Sequence, residues 1–213
     1  EPDLTAKARG LLLALLAIQG ADPAARQRAA ACYAAWEADP GSVDAELSAA
    51  ATGVLAATGS PADYERMLAR ALSGGTPQDQ LRHLYSLAEF DSAELMERTC
   101  ELAFSDQVRS QNAPFLLRAA IGNRRHGAVA WAYVRQHWAA ANERFPRNSI
   151  ARMIETVKLL DRPDQVADVQ GFFAEHPIEQ AAKTLDQHLE RQQVNAALRE
   201  RDAAHVSGHF AKA

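Results

Sequence analysis

The stretch SPADYERMLARALSGGTPQDQLRHLYSLA, residues 60–88, decides the fold class. It holds two helix starts of one design. Ser60-Pro61 and Thr76-Pro77 each place a hydroxyl directly before a proline. The hydroxyl can accept a first-turn N–H, and proline's missing donor costs nothing at the first helical position. Asp63 and Asp79 follow in the first turn, where the helix dipole favours negative charge. Behind each start the apolar spacing is helical. Tyr64, Met67, Leu68, Ala71 and Leu72 form one stripe, and Leu81, Leu84, Tyr85 and Ala88 another. Ser73-Gly74-Gly75 lies between them, where glycine ordinarily follows a helix. Two short amphipathic helices and a tight turn make a helical hairpin.

The same punctuation continues outward. Asp22-Pro23, Asp91 with Glu94, and Asn148 before Ile150 mark further starts. Ile150, Met153, Ile154 and Val157 form a third stripe, and Val166, Val169 and Phe173 a fourth. No long apolar/polar alternation rich in β-branched residues interrupts them, so no strands are expected. Starts near 61, 77, 92, 114, 125, 149 and 163 space the hairpins at roughly 30–40 residues per pair, as in HEAT or armadillo arrays. The predicted fold is all-α, a right-handed α-solenoid of HEAT/armadillo-like hairpins, with residues 1–213 as a single helical domain. A compact helical bundle is the alternative. The segment from Ile178 to about His205 alternates its charges and reads as one or two helices capping the array.

Composition narrows the function classes. The 213 residues are 47% hydrophobic and 23% charged, ordinary globular values. A net charge of -4 and a pI near 6.0 argue against a nucleic-acid partner. The apolar run Leu11–Ile18 is far shorter than the ~20 residues that span a bilayer. It reads as a core helix, and no membrane span is expected. Cys32 and Cys100 lie on apolar helical stretches and read as free thiols, with a disulfide as the alternative. The chain begins at Glu1 without methionine, so it reads as a piece of a longer protein.

No complete set of residues for a chemical step is present. His205 and His209 have the i, i+4 spacing of a zinc-protease helix, but the glutamate that should follow the first histidine is missing. Neither His83, His126, His137, His176 nor His188 stands at metal-ligand spacing from a cysteine or carboxylate. Nucleophile elbow, phosphate loop and dinucleotide fingerprint are all lacking. Asp161 and Asp164 lie at a helix start, where capping accounts for them. No catalytic residue, metal ligand or cofactor is assigned to this chain. The basic turn Arg124-Arg125-His126 has two readings: solvated arginines, or a site for a carboxylate or partner, since a guanidinium fork suits an anionic group. Trp131, Val134 and Trp138 share a face at i, i+3, i+7 and read as packing residues.

An ordered series of features carries a family resemblance. It runs through Asn123, Gly127, Ala130-Trp131, Trp138 and Arg144-Phe145, then a helix over Ser149–Leu160, then Val169, Phe172 and Phe173. Gln187, Glu190 and Asn195 close it, and Arg26 to Trp36 and the Tyr64-Glu-Arg-Met-Leu segment precede it. The series resembles the C-terminal helical domain of zinc aminopeptidases of the membrane alanyl, endoplasmic-reticulum and puromycin-sensitive type. The resemblance implies a curved HEAT-like array that closes over a thermolysin-like zinc domain, with its concave side against the distal part of a peptide substrate. It implies as partners the protein's own catalytic domain and peptides, and zinc in that missing domain. The family's His-Glu-x-x-His helix and Gly-x-Met-x-Asn loop are absent here, so no catalytic or metal role transfers. Ala197-Leu198 stands where relatives often have a tryptophan, and the family domain is commonly longer. Arg124 and Arg125 are the candidates for a peptide carboxylate or an interface. Trp131, Trp138, Phe145, Phe172 and Phe173 are signature packing residues. The rival reading is a free-standing α-solenoid adaptor for a protein partner.

Overall fold

A computed structural model describes residues 3–210. The described residues are all-α, with no strand and no helix long and apolar enough to cross a membrane. The chain divides into two compact units, Glu1–Leu95 and Met96–Ala213, each a solenoid-like stack of short helices.

The first unit is built from α1 (Asp3–Ala14), α2 (Pro23–Ala38), α3 (Ala45–Thr58), α4 (Pro61–Ser73) and α5 (Pro77–Ser86). The starts at Ser60 and Thr76 are reciprocal capping boxes. The Asp63 carboxylate accepts the Ser60 N–H at 2.8 Å while the Ser60 hydroxyl accepts the Asp63 N–H, and Asp79 and Thr76 repeat the exchange. Asp22 caps α2 through the Ala25 N–H at 2.7 Å, and Asp44 caps α3. Tyr64, Met67 and Phe90 fill the space inside the α4–α5 hairpin, with Tyr64 edge-on to Phe90 at 5.2 Å. Each such side chain contributes roughly 1.5–3 kcal/mol by leaving water. Helix α1 packs on α3 at Gly10, where a Cβ would meet the Glu46 carbonyl oxygen at 2.9 Å.

The leucine run corrects the sequence reading. It is not a core helix: Leu13 and Ala17 are buried, but Leu11, Leu12, Leu15 and Leu16 are more than half exposed. Five leucines in the six positions 11–16 wrap more than half of the helix circumference, and α3 covers only one side. The last part, Leu15–Gln19, widens into a π turn, and Ala21 beyond it is the one non-glycine residue with positive φ among those described. Exposed apolar patches of this kind drive association. Replacing Leu11, Leu12, Leu15 and Leu16 with glutamine is therefore expected to lower self-association of the purified chain at least ~10-fold. Sedimentation equilibrium reads the effect, and an unchanged association constant would refute it.

The second unit takes α6 (Ala93–Phe104) from Met96 onward and continues through α7 (Ala113–Ile121), α8 (Gly127–Gln136), α9 (Trp138–Arg144), α10 (Arg147–Met153), α11 (Pro163–Glu175) and α12 (Ala182–Phe210). Two boundaries differ from expectation. The tryptophan helix is two helices, broken at His137 (φ -104, ψ 22). Helix α10 starts at Arg147 after Pro146 with no side-chain cap, so Asn148 does not begin it, and from Ile154 to Leu159 it tightens into a 3-10 turn. Helix α6 begins where expected, and at its start the Ser92 hydroxyl accepts the Leu95 N–H. The closing segment is one long helix whose inner face is not merely solvated. Leu185 and Gln192 are buried, the Gln192 amide donates to the Leu160 carbonyl at 2.8 Å, and the Asn195 amide to the Lys158 carbonyl at 2.7 Å. These two side chains satisfy carbonyls that the 3-10 geometry leaves open. Cys32 is half-buried and Cys100 buried, and both are free. Burial, with Glu97 and Glu101 nearby, pushes the Cys100 thiol up to about 12, so it is inert as a nucleophile.

Candidate functional site

The basic turn sits between α7 and α8. Asn123 shapes it: its side-chain oxygen accepts the backbone N–H groups of Arg125 and His126, each at 2.9 Å. This is an Asx turn, which holds the chain open before the helix begins. Gly127 then closes against α7, where any Cβ would lie 2.3 Å from the Ile121 carbonyl oxygen. Only glycine fits, and the consequence is that the Arg124 and Arg125 side chains are projected outward from a fixed backbone.

They project at the rim of a cavity of about 530 Å³. Its opposite wall is the segment Leu159–Arg162 with Gln165, and Arg199 comes from α12. Four guanidiniums (Arg124, Arg125, Arg162 and Arg199) thus line one cavity that holds a single carboxylate, Asp161. Asp161 does not cap α11 as expected. Its carboxylate takes the Arg199 N–H at 2.7 Å and aims that guanidinium at the cavity. Arg162 stands 3.9 Å from Asp164, both exposed, so that pair leaves its fork largely available. A cationic cavity with several forks is suited to a carboxylate or another oxyanion. Arg162 and Arg199 were not singled out by the sequence. They lie 37 and 74 positions from Arg125, and no local pattern joins them to the turn.

The aromatic residues lie behind this cavity. Trp131 is buried and meets Phe172 edge-on at 5.3 Å and Phe173 at 5.5 Å. Trp138, half-buried, approaches the same two rings at 5.4 and 5.9 Å, although the helix breaks between the tryptophans. Phe145 packs separately, on Phe104 at 5.1 Å. The Trp131 indole N–H donates to Asp168 at 2.8 Å, and Arg135 pairs with the same carboxylate. Asp168 is therefore the polar anchor of the cluster, a role that nothing in its sequence context signals.

His205 and His209 lie on exposed turns at the end of α12. Among the described residues no group of three or more His, Cys, Asp or Glu side chains could hold a metal ion.

The sequence pattern of the ERAP1-like C-terminal domain matches residues 1–194. The chain belongs to that family. Among curated proteins, this ERAP1-like domain is 29% identical to Aminopeptidase M1-A of Oryza sativa subsp. japonica over 63% of its length and 15% of the rice protein's. It is 27% identical to Aminopeptidase M1 of Arabidopsis thaliana over 92% of its length and 23% of that protein's. The rice Aminopeptidase M1-C is 28% identical over 62% of the chain. The ERAP1-like domain therefore spans less than a quarter of the length of the curated relatives it matches.

Proposed function

We propose that this chain is the non-catalytic C-terminal domain of a zinc aminopeptidase, closing over the active-site chamber and contacting the distal part of peptide substrates. The family match along residues 1–194 carries this reading. On this reading zinc and the hydrolytic step belong to a catalytic domain outside this chain, which is also its partner. The four-arginine cavity supports it, because several guanidinium forks on one wall suit the carboxylate of a long peptide. Its contribution to rate would be positioning, which acts through fixed geometry rather than chemistry.

In the full-length enzyme, replacing Arg124 and Arg125 together with alanine is expected to lower kcat/KM for long peptides about tenfold, roughly one kcal/mol and a half of lost binding. Aminoacyl anilides, which cannot reach the cavity, should be cleaved at unchanged rates. Equal losses on both substrates would remove the end-stop role. The chain alone should release no amino acid from such an anilide; turnover that survives purification and is stopped by a chelator would overturn the non-catalytic reading itself.

A further inference from the structure

A second cavity, of about 580 Å³, lies between α10 and α12 and is separate from the four-arginine cavity. Two helical stripes wall it. Asn148, Ala151, Arg152 and Glu155 recur at i, i+3, i+4, i+7 on one side, and Ala181, Thr184 and His188 at i, i+3, i+7 on the other, with Arg147 at the end. Its charge is unbalanced. Glu155 is already engaged by Arg118 at 2.9 Å and Lys158 at 3.6 Å. Arg147 and Arg152 have no carboxylate of the described residues within ion-pair distance. Two spare guanidiniums therefore face a groove that also offers a hydroxyl, a side-chain amide and an imidazole.

We propose that this groove binds a phosphate-class oxyanion carried on a small organic molecule, with Arg147 and Arg152 as its cationic clamp and His188, Thr184 and Asn148 as further donors. A phosphate presents three terminal oxygens and up to two charges, which matches this donor set better than a single carboxylate does. The volume falls in the range of small-molecule sites, larger than a bare ion requires. No Phe, Tyr or Trp side chain lines the groove, so it offers no large ring for a nucleobase. Partial burial and the nearby cations Lys158 and Arg152 hold the pKa of His188 below 6.5, against the opposing pull of Glu155. A bound dianion would offset those cations and let the imidazole take up a proton and donate. The inference does not rest on the peptide role given to the Arg124 cavity.

Titration of the purified chain with inorganic pyrophosphate in low salt, followed by amide NMR, is expected to give saturable shifts in residues 147–155 and 184–188. Arg147→Ala with Arg152→Ala should weaken binding at least ~10-fold, and Arg152→Lys, which keeps the charge without the fork, by an intermediate factor. Arg124→Ala with Arg125→Ala should change it less than ~2-fold, because that cavity is elsewhere. Sulfate, which does not titrate between about pH 6 and pH 8, should bind more tightly at the lower pH, and His188→Gln should abolish that difference. Absence of saturable shifts, equal binding of citrate, shifts confined to the Arg124–Gly127 turn, or unchanged affinity in the Arg147/Arg152 variant would each overturn the proposal.

Discussion

Trp131→Ala is expected to lower the unfolding free energy of the second unit by about 4 kcal/mol. The indole is 3% exposed and lies against both Phe172 and Phe173, so truncation removes a large apolar surface and opens a cavity between α8 and α11. It also strips Asp168 of the indole N–H, leaving Arg135 as its remaining partner. Trp131→Phe separates the two losses. It keeps most of the ring contact and forfeits the hydrogen bond, for about 1–2 kcal/mol. Trp138→Ala provides the contrast, because that indole is only half-buried and should cost about 2 kcal/mol. Urea unfolding followed by far-ultraviolet circular dichroism measures all three. A Trp131→Ala loss no larger than that of Trp138→Ala would show that the cluster is not centred on Trp131.

The second large effect lies in the first unit, at the fully buried His83. Its Nδ1 lies 2.7 Å from the Asp79 carbonyl, which can only accept, so Nδ1 carries the proton and Nε2 accepts from the Tyr33 hydroxyl at 3.0 Å. The ring stacks on Trp36 at 5.3 Å, and the Arg70 guanidinium lies over the same Trp36 ring, 4.5 Å from its centroid. His83→Ala should cost about 3 kcal/mol, since it leaves a void and strips the Tyr33 hydroxyl of its imidazole partner. Acid should act in the same direction. Burial first, and then the Arg70 and Arg82 cations, hold the folded pKa below 6.5, while the Asp79 carbonyl hydrogen bond opposes them. Above pH 6.5 the ring is neutral in both states and its contribution is complete. Below it the unfolded chain gains a proton that the folded chain refuses, so stability falls as the pH drops from 6.5 toward the folded value. Tyr33 adds no competing change near neutrality, because burial and then Glu37 push its phenol up to about 12. Thermal melts between pH 7.5 and 5 should show this slope in the native sequence and a shallower one in His83→Ala. Parallel slopes would mean that His83 does not govern the acid response.

Much of this architecture was legible because it is written locally. Ser60/Asp63 and Thr76/Asp79 announce their helices through contacts three residues apart, and both boxes form. What escaped sequence reading depends on distant partners. The break at His137 follows no glycine or proline; there the imidazole accompanies the Tyr133 ring at 4.1 Å and packs on Phe104, so tertiary packing overrides a run of good helix formers. The leucines of α1 carried the composition of a core helix, but composition does not say whether a neighbour covers them. At the candidate site, the Asn123–Gly127 turn could be read from residue type, whereas Arg199 reaches the cavity through Asp161, 38 residues away. Asp168 illustrates the same limit, since its two partners lie 33 and 37 positions upstream.

Helix α12 has a mechanical consequence. His188 and Arg199 stand on one unbroken rod, about three turns or ~16 Å apart, and each forms part of the wall of a different cavity. Between them, Gln192 and Asn195 are pinned to the backbone of the 3-10 turn that contributes to both cavities. A rod held at its middle keeps His188 and Arg199 at a fixed spacing, so the two cavities share a wall without sharing a lining residue, and one can be altered while the other keeps its shape.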